Sequence, residues 1–464
     1  MRRDVRIRTW EQLIAALIKG KKLSYQLSTI TAAQIIISFG MQWYVVAYFG
    51  AGVKTDALYT GATLPQMLTV LILESLPGVL IPLLSTASEE QVWNDVWMLL
   101  WGMGALFVVL ALISFFVAPL LIPIIVPGFS SAAKQLTVSL MRIQIFGLIG
   151  ASSYAVCSSL YQVRNRFLAP ALSVLVSGIV SWLLLIWKMS QVGIEVAAWG
   201  QVLFFTLPAV LLLPGVGHFQ RPTWQLVRMR QIWDRLHPVM MGKAISMMGM
   251  PIDRFLCSFL VPGSIVIFDM VGRFYGAIGR VLYQGILVPF VAQLSRFAHQ
   301  ERWDEFRAMH RKQSVLMLVP SLIIVLGVII GSVIGFRLLP ATPIGHLFGS
   351  LNSESLSKML WVLIYMSGIL PFLGTANSHI NAYYAMGDTR TPTKIGILTY
   401  AFGLLLKVAG FGFAGIKGMA LAVSLSAVLY SCSLQYLLAK HWKVKAPIKQ
   451  RATPETIGKF EAGF

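Results

Sequence analysis

The sequence predicts an all-α polytopic membrane protein of about twelve transmembrane helices, and three observations carry that expectation. Of 464 residues, 56% are hydrophobic and only 12% charged, with a mean hydropathy of +0.72; a soluble domain carries about twice that charged fraction. Apolar runs of membrane length recur at residues 25–48, 58–84, 93–120, 134–160, 167–188, 193–216, 236–260, 265–293, 313–337, 356–385, 394–412 and 417–439. The 38 lysines and arginines are also unevenly placed. Alternate connections and the two ends hold 26, the opposite connections six, and the spans themselves six: Arg142, Lys243, Arg254, Arg273, Arg280 and Lys407. That bias places both termini in the cytoplasm. The net charge of +20 therefore belongs to the loops and to anionic lipid head groups, and no nucleic-acid partner is expected.

Taken in order, residues 1–23 read as a cytoplasmic interfacial segment. Trp10, Leu13, Ile14, Leu17 and Ile18 line one helical face, and the apolar run is too short for a signal peptide. Residues 24–217 hold the first six spans. Residues 218–235 form the longest basic internal loop, residues 236–440 hold the second six spans, and 441–464 form a basic cytoplasmic tail. A six-plus-six division of this kind is common in transporters built from internal repeats.

The stretch from Met250 to Arg296 is apolar enough for lipid yet carries Asp253, Arg254, Asp269, Arg273 and Arg280. A charge at mid-bilayer costs at least a few kcal/mol, so it survives only facing a bundle interior or a wet cavity. On a helix, Asp269, Arg273, Gly276, Arg280 and Gln284 share one face. Such a basic stripe with a glycine window expects an anion. The bland alternative is a helix-to-helix bridge in which Asp269 neutralises Arg273. In the preceding span, Lys243, Met247, Met250 and Arg254 share a face; these cations either meet a large amphipathic ligand or pair with acids of neighbouring spans.

Glu74, with Pro77 just after it, is a candidate site for a coupling cation or proton. Asp56 opens the second span, where a helix-terminal acid is favoured by the dipole. Arg142 lies near enough to a span end to snorkel, and Lys407 reaches either an interface or the interior. Asn377, Asn381 and Tyr384 share a face of the tenth span, where His379 reads as a hydrogen-bonded helix contact. Cys157, Cys257 and Cys432 are far apart and in apolar runs, so they read as small hydrophobes. No metal-ligand spacing, Walker loop or hydrolase elbow is present. Neither metal nor cofactor is expected, which leaves the membrane potential, H+ or Na+ to drive any transport. An enzyme built on His379 would need a second acid or base, and none is found.

Several stretches together resemble the MurJ (MviN) family of lipid II flippases, within the multidrug/oligosaccharidyl-lipid/polysaccharide exporter superfamily. They are FGAGVKTDALYTGATLP (49–65), VPGFSSAAKQLTVSLMRIQ (126–144), LYQVRNRFLAPALSVL (160–175), IDRFLCSFLVPGSI (252–265), GRFYGAIG (272–279) and YYAMGDTRTPTKIGIL (383–398). The resemblance implies two six-helix lobes around a central cavity, alternating access, and outward movement of an undecaprenyl-pyrophosphate-linked saccharide in the bacterial inner membrane. Asp56 matches the acid of the family's tDAf motif, Arg273 matches an eighth-helix arginine facing the cavity, and Glu74 falls where the family has an acid in its second helix.

The chain also departs from the family pattern. Ile35 and Met41 stand where the family carries first-helix arginines, and Thr69 and Val70 stand where further arginines are expected before Glu74. The chain turns polar after Leu438, so the family's two C-terminal helices are not expected. Arginine grips pyrophosphate bidentately, and here the cations lie in the second half. The expected substrate contacts are therefore Arg273, Arg280, Arg254 and Lys243, with Asp269 and Asp56, and the expected partners are a lipid-linked saccharide and membrane lipids. A flippase for exopolysaccharide or O-antigen units, a cation-coupled multidrug antiporter using Glu74, and a scaffold for cell-envelope or polysaccharide assembly proteins are the competing readings.

Overall fold

In the computed structural model, which describes residues 2–217, 221, 223–338 and 350–445, the described chain is helical apart from short connections. The first eight helices are α1 (Arg2–Phe49), α2 (Val53–Gly61), α3 (Thr63–Ser85), α4 (Glu89–Ile125), α5 (Ser131–Gln144), α6 (Gly147–Val163), α7 (Leu168–Val192) and α8 (Glu195–Leu212). They are followed by α9 (Leu226–Met247), α10 (Gly249–Cys257), α11 (Ser264–Leu282), α12 (Val288–His299), α13 (Trp303–Leu338), α14 (Ser353–Met366), α15 (Ile369–Ala385) and α16 (Arg390–Lys445). A π-helical turn, Tyr283–Leu287, joins α11 to α12.

Among the described residues, nine helical stretches are long and apolar enough to cross a membrane. One of them, Arg390–Lys440, is two legs joined at Ala414 and Gly415, where the backbone leaves the helical region. Gly415 has φ +56°, and Gly410 and Gly418 lie so close that a Cβ on either would strike the other's carbonyl. Only glycine serves such a reversal. Two helix pairs outside that set of nine, α9 with α10 and α11 with α12, bear Lys243, Arg254, Arg273 and Arg280. Counting them, twelve membrane-length segments follow one another in the expected order.

One boundary differs from expectation. The helix expected from residue 236 begins at Leu226, inside the stretch read as loop. Its charges concealed an amphipathic pattern, and Ile232 and Leu236 bury one face of α9 almost completely. Elsewhere the helix starts obey local chemistry. Ser88 and Ser130 cap α4 and α5 by accepting the amides of Gln91 and Ala133. In the GDTRTP loop Asp388 accepts the amides of Arg390 and Thr391 at 3.0 Å and starts α16.

The chain forms two compact units, Met1–Asp269 with Pro343–Ser355 and Met270–Thr342 with Leu356–Phe464. The core of the first joins Leu76, Leu80 and Leu84 of α3 to Val96 and Leu99 of α4, Val156 and Leu160 of α6, and Ile232 and Leu236 of α9. Small residues let its helices approach. Gly150 lies against Thr206, and the Ser177 hydroxyl donates to the carbonyls of Leu203 and Phe204. The first unit runs past residues 218–235 because α9 packs along α3. The second unit's core gathers Leu294, Phe306, Ala376, Tyr383, Leu434 and Leu438. Hydroxyl contacts Ser314–Ser378 (2.9 Å) and Thr375–Ser431 (2.8 Å) tie its helices together.

Candidate functional site

The first unit spends its embedded charges on itself. Asp56 sits in the first turn of α2, where Thr55 closes the preceding loop by donating to the Gly50 carbonyl and accepting the Gly52 amide. The Asp56 carboxylate accepts the amides of Gly263 (2.6 Å) and Val266 (2.9 Å) at the start of α11. A carboxylate on a helix N-terminus is favoured by the orphan amides and by the dipole. The sequence placed Asp56 at the start of its own helix; the structure shows that its carboxylate holds the start of another. Gly263 permits the arrangement: its φ is +95°, and an added Cβ would lie 2.6 Å from the Ala51 carbonyl oxygen.

Arg254 on α10 pairs with Asp269 on α11, and its Nε approaches the Thr63 hydroxyl at 3.4 Å. The two side chains are 3% and 10% exposed, so this pair joins α3, α10 and α11 in a place closed to water. Lys243 on α9 pairs with Glu74 on α3 at 2.5 Å, with both side chains about half exposed. Both cations of the expected Lys243–Arg254 face thus meet acids of neighbouring helices. A third pair escaped the sequence reading: Arg228 reaches fully buried Asp95 at 2.9 Å and fastens α9 to α4. Asp95 is the seventh residue of α4, and beside Glu89, Glu90, Gln91 and Asn94 it reads as part of a polar helix start.

Arg142 forms no ion pair among the described residues. Its Nε donates to the Phe115 carbonyl at 3.1 Å and its guanidinium stacks 4.6 Å from the Phe115 ring. Gln144 donates to the Leu58 carbonyl and to Gln201.

In the second unit, α11 carries Arg273, half-buried, and Arg280, exposed, near the middle of the 264–299 segment. Gly272 and Gly276 have open space where a side chain would be. Tyr275, on another face, is buried and its hydroxyl donates to the Leu363 carbonyl at 2.7 Å, which fixes the rotation of α11. Arg280 has no ion-pair partner among the described residues. Gln284, exposed, falls in the π turn that follows, a feature enriched at functional positions. His379 bonds to His310 across α15 and α13 at 3.1 Å, in accord with a helix contact. Lys407 is half-buried in α16.

Twelve helical segments among the described residues, with embedded charges held by neighbouring helices or presented on α11, describe a polytopic transporter. Its fold is that of the multidrug/oligosaccharidyl-lipid/polysaccharide superfamily. A solved structure titled lipid II flippase MurJ, inward closed conformation, superposes with a TM-score of 0.77 at 20% identity, over 89% of this chain and 87% of that one. An inward-facing multidrug transporter of the MATE family superposes at 0.70 and 10% identity, over 90% and 96%. Among curated relatives, the probable lipid II flippase MurJ of Thermotoga maritima is 24% identical over 82% of this chain and 77% of that protein. The corresponding protein of Synechocystis is 22% identical over 88% and 80%. The family model described as lipid II flippase MurJ matches residues 45–456, and the chain belongs to that family.

Proposed function

We propose that this protein moves an undecaprenyl-pyrophosphate-linked saccharide of the lipid II type from the cytoplasmic to the outer leaflet of the bacterial inner membrane. It acts as a transporter rather than an enzyme and works by alternating access. Family membership supports the cargo class, and the α11 face supports the contact. The observation that carries the reading is Arg280, exposed near mid-segment without an ion-pair partner among the described residues, one glycine window from Arg273. An intramembrane cation of this kind marks a ligand path, and two arginines a helical repeat apart suit the oxygens of a pyrophosphate. Asp56, Arg254 and Asp269 are assigned the supporting role of setting where α11 begins.

Both termini are assigned to the cytoplasm by the positive charge bias. Outward movement of an anion is then favoured by an inside-negative potential, by about 2.3 kcal/mol per charge per 100 mV. The experiment is translocation of fluorescent lipid II in proteoliposomes containing the purified protein, read by quenching from the far side. Movement above that in protein-free vesicles supports the reading. Movement of a lipid-linked O-antigen unit with none of lipid II would replace the cargo.

A further inference from the structure

On the first unit, α4 and α9 enclose a groove of about 500 Å³. Its lining is apolar and pliable, with Met98, Met103 and Leu106 on one side and Met229, Trp233 and Leu236 on the other. A smaller pocket continues it toward Leu76 of α3 and Met240 of α9. Gly102 lies in the groove wall, where a Cβ would meet Trp224 and Met229 at ordinary contact distance and a larger side chain would enter the groove.

Three features identify what fills it. The lining on α9 runs from Met229 to Met240, about 16 Å at ~1.5 Å per residue. That length is close to half of a hydrocarbon core roughly 30 Å thick, the depth of one leaflet. Exposed Trp233 lines the groove and exposed Trp224 stands beside Gly102; tryptophan is the residue type that settles at head-group level. Arg230 also lines the groove; it is exposed and without an ion-pair partner among the described residues, while neighbouring Arg228 is committed to Asp95.

We propose that the groove holds one acyl chain of an anionic phospholipid, drawn from the leaflet on the 217–235 side, with its phosphate on Arg230. The proposal uses neither the cargo nor the direction of transport, so it stands or falls separately from them.

The test is photolabelling of the full chain in phosphatidylcholine vesicles. The vesicles are doped with a phospholipid bearing a diazirine on its acyl chain, carried either by phosphatidylglycerol or by phosphatidylcholine. Labelled peptides are mapped by mass spectrometry, with the exposed face at Leu112, Phe116 and Leu120 as the internal reference. Peptides covering 98–106 and 229–240 are expected to take about fivefold more label from phosphatidylglycerol, the effect of one interfacial cation on anionic-lipid binding. Arg230→Gln should erase that preference with the reference face unchanged, and Gly102→Leu should bring groove labelling down to the reference level. Should Gly102→Leu fail to fold, Arg230→Gln carries the test. Equal labelling by the two head groups overturns the proposal. So does displacement of the label by a polyisoprenyl phosphate but not by unlabelled phosphatidylglycerol, which would assign the groove to an isoprenoid chain.

Discussion

Replacing Arg254 by alanine should destabilise this protein more than removing any exposed charge, because it strands Asp269 in a place closed to water. The two side chains are 3% and 10% exposed and pair directly, with the Thr63 hydroxyl beside the guanidinium. Breaking a buried pair by removing one partner costs about 3–5 kcal/mol, since the remaining charge loses its compensation. At roughly 2–4 °C per kcal/mol for a unit of some 280 residues, the melting temperature in detergent should fall by on the order of 10 °C. Replacing both partners with apolar residues of similar size, Arg254→Met with Asp269→Leu, should recover most of that loss, because no buried charge is left. The assay is intrinsic-fluorescence melting of the two single variants and the double variant at matched lipid content. Single variants that melt within about 2 °C of the parent would refute the reasoning. A double variant that melts lower than either single would do the same.

Gly263→Ala should destabilise α11's start, since both its φ of +95° and the 2.6 Å approach to Ala51 exclude a side chain; reduced abundance of folded protein on size-exclusion chromatography checks this. Glu74→Gln removes the carboxylate that Lys243 meets. If Glu74 is the coupling site, this variant fluxes without dependence on pH or sodium while folding normally. A variant that keeps the parent's pH and sodium dependence assigns Glu74 to structure alone. Reporter fusions at Lys443 and within 217–235 should read cytoplasmic and those at Lys188 and Pro262 external, as the charge bias requires. A fusion at Lys443 that reads external would leave an odd number of spans and break the six-plus-six order.

The succession of twelve segments was legible because lipid imposes length and apolarity on every span. Part of the exception was legible too, since α10, α11 and most of α12 form the Met250–Arg296 stretch that the embedded arginines had already set apart. What escaped was partnership. Sequence places Arg254 and Asp269 on separate helices, but nothing in their spacing says that they meet. Asp56 was legible as a helix-terminal acid, whereas its use of another helix's amides across 207 positions of chain is a tertiary fact. The start of α9 was hidden because Arg228, Arg230, Asp234 and Arg235 look like loop until Ile232 and Leu236 are seen to bury one face.

The central claim, that α11 grips the pyrophosphate of a lipid-linked saccharide, is tested most directly by translocation of fluorescent lipid II at matched protein abundance. The proteins to compare are the parent, Arg280→Lys, Arg280→Ala, Arg273→Lys and Arg273→Ala. A bidentate grip predicts that each lysine variant fails nearly as badly as its alanine counterpart, because a point charge cannot replace the planar fork. It also predicts that Arg280→Ala melts near the parent temperature, since that side chain is exposed and the change removes no ion pair among the described residues. Full translocation by Arg273→Ala and Arg280→Ala would contradict the claim whatever family the chain belongs to.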